Sequence, residues 1–272
     1  MPGTPALARR AILGVYALII VVPLLVVVLG AFKSRRQLVD SPLGVPTSPT
    51  ADNLTRVLST QSMGDAFLNS VIVTGVAVLV SLFLSSLAAF GLARIRGRWG
   101  WVVFAFLVAG LAVPAQTAIV PQYVLWRQLG LLNSLTGLVI AEVVVTLPVA
   151  VFILTGFMRT LPPELFEAAS IDGASPWRTY RSVVLPLSRP SLAAAAIFLF
   201  VITWNDLLYP LLFVSTPDKR TLPLVLLGFK GEFLTDYPVL FTGVLIASAP
   251  LVVIYVFLQR YFVAGLTAGS SR

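Results

Sequence analysis

The longest charge-bearing run between two strongly apolar segments of the chain is Leu161 to Pro190, which reads LPPELFEAASIDGASPWRTYRSVVLPLSRP. Pro162 and Pro163 suit the first turn of a helix, because the backbone N–H that proline lacks has no partner there. Glu167 lies close to the positive N-terminal end of this helix. Gly173 can take the left-handed conformation after a last turn, so the first short helix is predicted to end there.

A second short helix follows in the same segment. Ser175 is a favourable N-cap, and Pro176 takes the first helical position. Apolar residues then recur at helical spacing, and these are Trp177, Tyr180 and Val184. Leu185-Pro186 is predicted to end the helix. Two amphipathic helices joined by a glycine elbow are also typical of an interfacial linker in the headgroup layer, and the pattern alone leaves that interpretation open.

The composition indicates an integral membrane protein. Of 272 residues, 58% are hydrophobic and 11% are charged, and the mean hydropathy is +0.95, whereas charged residues make up about 25% of a soluble domain. The net charge of +8 does not indicate nucleic-acid binding. The basic residues are scattered at the ends of apolar spans and are not gathered on one solvated face.

Six apolar stretches are long enough to cross a bilayer, since about 20 helical residues span a hydrocarbon core of about 30 Å. They cover residues 11–32, 71–93, 101–125, 135–157, 191–214 and 239–259. The predicted fold class is therefore all-α, with residues 1–272 as a single transmembrane domain. The polar connection after the first span is predicted to carry one short helix near residues 53–58. Pro114, Gln116 and Pro121 interrupt the third span, whose far end is predicted to unwind.

Lysine and arginine near the span ends favour cytoplasmic termini. Six spans place both termini on one side of the membrane. With the termini inside, eleven of the nineteen basic residues fall on the cytoplasmic side. The 161–190 segment then lies in the cytoplasm as well.

Four polar residues lie within the predicted spans, where an ionisable group costs at least about 2.5 kcal/mol unless it faces protein or water. They are Gln116, Glu142, Asn205 and Asp206. We expect all four to face inward in the outer half of the membrane. There they either line a translocation path or hydrogen-bond the helices to one another. No nucleophile motif accompanies the two carboxyl groups, so a hydrolase site is not predicted.

The chain contains no cysteine and no histidine, which removes thiol nucleophiles and the commonest zinc ligands. It also lacks a GxxxxGK(S/T) phosphate-binding loop, so any ATP must be handled by a partner. The sequence thus predicts neither a catalytic residue nor a metal ligand in this chain.

The 161–190 segment contains three short motifs that resemble the EAA loop of ABC importer permeases. They are Glu167-Ala168-Ala169, Asp172-Gly173-Ala174 and Leu185-Pro186. The resemblance implies a cytoplasmic coupling helix that docks into a groove on a separate ATP-binding subunit. It implies coupling roles for Glu167, Ala168, Ala169, Asp172, Gly173, Ala174 and Pro186. The apolar residues predicted to face that groove are Phe166, Ala169, Ile171, Trp177 and Tyr180.

The resemblance extends to residues 198–210, 220–223 and 265–269, which are similar to the maltose-type permease subunit of sugar importers. It implies the type I ABC importer permease fold in a bacterial or archaeal cell membrane. The implied partners are a second homologous permease subunit, two ATP-binding subunits that hold ATP and magnesium, an extracytoplasmic solute-binding protein and membrane lipid. Residues 215–238 are expected to reach toward the binding protein, and residues 265–272 to contact the ATPase dimer.

These features predict a transmembrane permease subunit of an ATP-driven sugar importer, which is not itself an enzyme. The resemblance also implies that the other permease holds most of the bound sugar. The alternative is a secondary carrier driven by an ion gradient, which needs an intramembrane ion site and usually has detectable internal repeats. The sequence does not identify the solute.

Overall fold

The structure, a computed structural model, describes residues 4–59, 62–95, 97–229 and 235–268, and its regular elements in these ranges are helices. The first half contains α1 Thr4–Ala31, α2 Arg35–Asp40, α3 Asp52–Leu58, α4 Met63–Arg94, α5 Arg98–Val108, α6 Ala115–Gln128 and α7 Leu135–Met158. The second half contains α8 Pro163–Ile171, α9 Pro176–Thr179, α10 Leu185–Leu187, α11 Arg189–Trp204, α12 Leu208–Phe213, α13 Leu222–Gly228 and α14 Tyr237–Ala268. The predicted all-α class is confirmed. Arg96, Lys230 and residues 269–272, which enter the topology and tail predictions, lie outside the described residues.

Four helices are long and apolar enough to cross a membrane alone, and these are Ala8–Ala31, Met63–Arg94, Leu135–Met158 and Tyr237–Phe257. Two bent pairs of helices bring the total to as many as six spans in the described part of the chain. The α4 helix begins at Met63 and not at residue 71. Met63 and Ala66 are buried in one cluster with Trp204, and this packing extends the helix beyond its apolar run.

The third span is broken at Pro114. Arg98–Ala112 and Ala115–Gln128 meet at an angle of 94°, and Pro114 is the extended residue that precedes α6. The predicted interruption is confirmed, but the prediction that the far end unwinds is wrong. Pro121 lies inside α6, because the loss of one N–H leaves the other backbone hydrogen bonds of a helix in place.

The fifth span is divided as well. The α11 helix ends at Trp204 and α12 begins at Leu208, so the prediction of one helix over residues 191–214 is wrong. The carboxylate of Asp206 accepts the N–H groups of Leu208 and Tyr209 at 3.3 and 3.1 Å. A side chain that caps a helix start favours the beginning of a new helix over the extension of the preceding one.

A π-helical turn carries the chain through Pro186. The turn covers Tyr180–Val184, and the N–H of Leu185 bonds to the Tyr180 carbonyl. Pro186 consequently lies within α10, and the helical stretch ends at Leu187, within one residue of the predicted end at Leu185-Pro186. A proline ring clashes with the carbonyl four residues before it in a regular α-helix, and the wider π turn changes that register. The helical stretch from Pro176 to Leu187 then meets α11 at 75°.

The core of the bundle lies along α4 and α7. The hydroxyl groups of Ser81 and Thr146 are 2.8 Å apart across the two helices. Small residues of α4 are completely buried here, and they include Ala77, Ser85 and Ala89. Small side chains allow membrane helices to approach closely, and hydroxyl pairs add interhelical hydrogen bonds. Leu199 of α11 packs with Val78 and Ala150 in the same core.

The polar connection after α1 folds back onto the end of that helix. The Asn53 amide donates to the carbonyls of Ala31 and Lys33 at 2.8 and 2.9 Å. The ammonium group of Lys33 donates to the carbonyls of Ser41 and Pro42 at 2.7 and 3.1 Å, and this side chain is 1% exposed. The helix predicted near residues 53–58 is confirmed as α3.

We expect Lys33→Met to lower the free energy of unfolding by about 1–3 kcal/mol, because two carbonyl groups lose their buried charged donor. The matched control is Arg36→Met. Arg36 forms an exposed ion pair with Asp40, and such a pair contributes at most about 1 kcal/mol. Thermal unfolding of the purified chain in detergent compares the two variants. Equal melting temperatures for both would show that Lys33 does not fasten this connection.

Candidate coupling surface and intramembrane polar site

The α8 helix is followed by a left-handed glycine elbow, as predicted. Gly173 has a φ of 67°. Its N–H bonds to the Ser170 carbonyl at 3.1 Å, and the N–H of Ala174 bonds to the Ala169 carbonyl at 2.9 Å. This pair of hydrogen bonds is the Schellman motif of a helix C-terminus. No atom lies within 4 Å of the position that a Cβ of residue 173 would occupy, so the requirement for glycine is conformational and not steric.

The second helix also starts as predicted. The Ser175 hydroxyl accepts the N–H of Arg178 at 3.3 Å, and Pro176 takes the first helical position. The Thr179 hydroxyl donates to the Ser175 carbonyl at 3.1 Å. Local hydrogen bonds therefore fix the path of the chain from α8 into α9.

Aromatic side chains hold both short helices against α4. The ring centre of Phe90 in α4 lies 6.5 Å from that of Phe166 in α8 and 5.4 Å from that of Tyr180. The Tyr180 hydroxyl is 2.7 Å from the Ser86 hydroxyl of α4. The elbow is therefore packed directly against α4. Sequence reasoning misses Phe90 and Ser86, because nothing in their apolar span distinguishes them from their neighbours.

The other side of the 161–190 segment is open to solvent. Ile171 is 87% exposed and Trp177 is 55% exposed. Charged side chains of both signs are exposed in the same segment, and these are Glu164, Glu167, Asp172, Arg178 and Arg181. The prediction of one apolar face is wrong, because Phe166 and Tyr180 pack on α4 and Ala169 is buried, whereas Ile171 and Trp177 project. Periodicity identifies the apolar residues of a helix but not which of them their own bundle covers.

The coupling residues implied by the resemblance divide between these two sides. Glu167, Ala168, Asp172, Gly173 and Pro186 are exposed, Ala174 is half-buried and Ala169 is buried. Ala168 is consequently the accessible alanine of the motif. Ala169 is covered within the chain.

Glu142 of α7 and Asp206, in the break between α11 and α12, form a carboxyl pair inside the bundle. Glu142 is 3% exposed, and its carboxyl group contacts that of Asp206. The pair joins α7 to the point at which the fifth span is divided.

Tyr209 and Gln122 extend this polar site. Tyr209 is 3% exposed, and its hydroxyl is hydrogen-bonded to the side chain of Gln122 in α6. The site therefore connects α6, α7 and α12. The sequence analysis does not identify Tyr209 as a site residue. Its position three residues after Asp206, which caps α12, could have indicated it.

Gln116 and Asn205 are exposed on the surface of the chain. These two residues do not lie inside the bundle of this chain, and whether they face a translocation path stays a prediction. Each lies at a helix end created by a break, Gln116 in the first turn of α6 and Asn205 directly after α11. The Asn205 amide donates to the Val201 carbonyl at 2.8 Å. A polar side chain that is satisfied within its own turn needs no buried partner.

A cavity of about 810 Å³ lies in the angle of the bent third span. Its wall is mostly apolar and is completed by Trp126 and Tyr209, with Gln122 and Thr146 as polar groups. None of the four predicted polar residues lies in this wall. The cavity has the size of a ligand site, but it offers a molecule rich in hydroxyl groups few hydrogen-bond partners.

Residues 81–268 match the family described as binding-protein-dependent transport system inner membrane component. The chain is 33% identical over 269 residues to the diacetylchitobiose uptake system permease protein NgcG of Streptomyces coelicolor. That alignment covers 98% of this chain and 89% of the relative.

Two solved structures share the fold. The first is a bacterial ABC transporter involved in the import of the acidic polysaccharide alginate, with a TM-score of 0.83 and 19% identity over 94% of this chain and 96% of that chain. The second is a bacterial alginate ABC transporter in complex with an alginate pentasaccharide-bound periplasmic protein, with a TM-score of 0.71 and 14% identity over 94% of this chain and 93% of that chain. At these identities the likeness concerns the fold.

Proposed function

The chain belongs to the family of binding-protein-dependent transport system inner membrane components, and from that premise we propose that it is one of two permease subunits of an ATP-driven importer of sugars or sugar-like solutes. It is a multi-pass membrane protein and a transport subunit, not an enzyme. The relative that takes up diacetylchitobiose supports a carbohydrate solute. The family does not favour the alternative of an ion-coupled carrier.

The observation that carries this proposal is the exposed elbow that α4 holds in place. Ile171 and Trp177 project from it as apolar anchors of the kind that dominate protein interfaces. Exposed charges of both signs, including Glu167 and Arg178, select one partner and one orientation. We assign this surface to a groove on a cytoplasmic ATP-binding subunit.

The contacts of the elbow explain how such docking moves the membrane spans. Phe166 and Tyr180 pack on Phe90, so α8 and α9 follow the groove together with α4 as one body. The helical stretch that ends at Leu187 passes the motion to α11 through the 75° bend. Packed elements shift between discrete arrangements and do not deform continuously, which suits alternating access of the pore to the two sides.

The other partners follow from the same assignment. ATP and magnesium belong on the two ATP-binding subunits, because this chain has no phosphate-binding loop. A second homologous permease completes the pore, and the cavity at the 94° bend is an open surface that it can cover. Gln116 and Asn205, exposed at the broken spans, are the candidates for lining the path between the two permeases. Glu142 and Asp206 contact one another, and we propose that they position α12.

The opposite end of the bundle offers a surface for an extracytoplasmic binding protein. The side-chain oxygen of Asn133 accepts the N–H of Thr216 at 3.1 Å, and its backbone carbonyl accepts the ammonium group of Lys219 at 2.8 Å. The amide of Asn69 in α4 donates to the Asp218 carbonyl at 2.9 Å. The connection before α13 is thereby fixed while Pro217 and Asp218 remain exposed. The complex of the alginate transporter with its periplasmic protein supports this assignment.

Co-purification and transport test the proposal. A tagged chain expressed with its complete transporter is expected to bring down an ATP-binding subunit and a second permease. The reconstituted complex should take up sugar with ATP after ionophores have collapsed the ion gradients. Uptake by the chain alone, driven by a gradient and indifferent to ATP, would establish the carrier instead.

A further inference from the structure

A second cavity, of about 450 Å³, lies between α8 and the ends of α4 and α7. The α8 helix lines it with residues at helical spacing, which are Pro163, Phe166, Glu167 and Ser170. Residues at this spacing share one face of a helix. Ile171, which projects farthest toward solvent, is not part of the wall. The cavity is therefore distinct from the docking surface assigned above, although Glu167 stands at the boundary of both.

Two arginines supply the positive charge of this cavity. Arg94 is the last residue of α4, and Arg159 follows the last residue of α7. Each guanidinium carbon lies over an aromatic ring, 5.3 Å from the centre of Phe90 for Arg94 and 4.9 Å from the centre of Phe104 for Arg159. A guanidinium that stacks on a ring keeps the N–H donors in its own plane available.

Among the residues that the structure describes, no acidic side chain forms an ion pair with these donors. The ion pairs of the described ranges involve Arg36 with Asp40 and Arg56 with Asp236, and neither Arg94 nor Arg159 is paired with Glu167 although all three line the same cavity. Two cations against one carboxylate leave the cavity with a net positive charge. The cavity is therefore suited to an anion with several acceptor oxygens, because a planar guanidinium group can bind two such oxygens with parallel hydrogen bonds.

The remaining wall is apolar and includes Met158, Leu161 and Phe166. A free inorganic anion would leave this surface without a partner, whereas a phospholipid presents a phosphate joined to an apolar body. The arginines end two membrane spans, and basic side chains at such positions lie at the depth of the lipid headgroups. Both the charge and the position of the cavity therefore fit a lipid phosphate.

We propose that this cavity binds the phosphate of an anionic phospholipid, which bridges Arg94 and Arg159 and braces α8 against α4 and α7. The bound lipid completes the support of the elbow from the membrane side. This inference goes beyond the importer function, because it depends on neither the solute nor the ATP-binding partner.

Native mass spectrometry of the complete complex, extracted from nanodiscs with phosphatidylglycerol or with phosphatidylcholine alone, tests the site. The double variant R94Q/R159Q is expected to retain about tenfold less phosphatidylglycerol, since it loses two charge-assisted contacts. The matched control is R98Q/R189Q, which removes the same charge from two exposed arginines outside the cavity and should retain lipid as the unmodified complex does. Equal retention by R94Q/R159Q and the unmodified complex, or equal loss in the control, overturns the proposal.

Two further arms complete the test. R94K/R159K keeps the positive charges but loses the planar guanidinium groups, so it is expected to retain an intermediate amount of phosphatidylglycerol. If R94Q/R159Q does not assemble, the lysine variant provides the test, and retention equal to that of the unmodified complex contradicts the proposal. An excess of inorganic phosphate should leave retention unchanged, and displacement of the lipid by phosphate contradicts a lipid source. The importer assignment is tested separately, by co-purification of the ATP-binding subunit with R94Q/R159Q. If that subunit co-purifies but lipid retention is unchanged, only the lipid site is contradicted.

Discussion

Gly173→Val is expected to lower the ATP hydrolysis of the reconstituted complex, measured with saturating binding protein and solute, by about tenfold. The φ of 67° at Gly173 costs a residue with a Cβ about 1–2 kcal/mol, and more for a β-branched one. No atom lies within 4 Å of the position that a Cβ of residue 173 would occupy, so we expect the backbone strain to be relieved by a change in the path of the helix. Because α8 is then aimed away from its groove, coupling fails before membrane insertion does.

Gly173→Asn is the matched control. Asparagine tolerates the left-handed conformation better than any residue except glycine, so this variant should keep most of the stimulated hydrolysis although its side chain is nearly as large as that of valine. Unchanged hydrolysis in Gly173→Val would remove the elbow from the mechanism. Equal loss of hydrolysis in both variants would show that any side chain at position 173 disturbs coupling, and that the backbone conformation is not the cause.

Asp206→Ala is expected to lower the free energy of unfolding of the purified complex by about 2–4 kcal/mol. The variant loses the cap of α12, which contributes about 1 kcal/mol, and it removes one hydrogen-bond partner of buried Glu142 while Thr203 remains, which costs about 1–3 kcal/mol more. Asp206→Asn should lose little, because asparagine caps a helix as well as aspartate does. Thermal unfolding of the two variants in the same detergent measures the difference.

Uptake measurements with Asp206→Asn and Glu142→Gln separate packing from transport. Both amides preserve shape and hydrogen bonding, so both variants should assemble. Altered uptake in an assembled amide variant would place the carboxyl pair on the solute path. Unchanged uptake in both, together with a stability loss confined to Asp206→Ala, leaves the pair with the positioning role that the geometry supports.

The elbow could be predicted from the sequence because its determinants are local. The hydrogen bonds that form the elbow around Gly173 and Ser175 join residues at most five positions apart. Such local interactions can be predicted from a short stretch of sequence. The same holds for α3 and for the break at Pro114, where the missing N–H leaves few alternatives. The four unbroken spans could also be predicted, because the length and hydropathy of a segment indicate whether it can cross a membrane as a helix.

Features that depend on tertiary contacts could not be predicted. The sequence gives no reason why Phe166 packs on α4 while Ile171 projects, because both occupy apolar positions of one short helix. The break in the fifth span depends on Asp206 capping α12 beside Glu142, a contact between residues 64 positions apart. Met63 likewise begins α4 ahead of the apolar run, at a position where it is buried in one cluster with Trp204.

Cysteine crosslinking of the assembled complex tests whether the elbow docks on an ATP-binding subunit. The native chain contains no cysteine, so each introduced thiol reports one position. Ala168→Cys, exposed in α8, should crosslink to the ATP-binding subunit in the assembled complex, whereas Asp218→Cys, exposed on the opposite end of the bundle, should not. We expect only the first variant to yield the adduct. The docking assignment is contradicted if no cysteine from Glu167 to Ala174 crosslinks to that subunit, or if Asp218→Cys does.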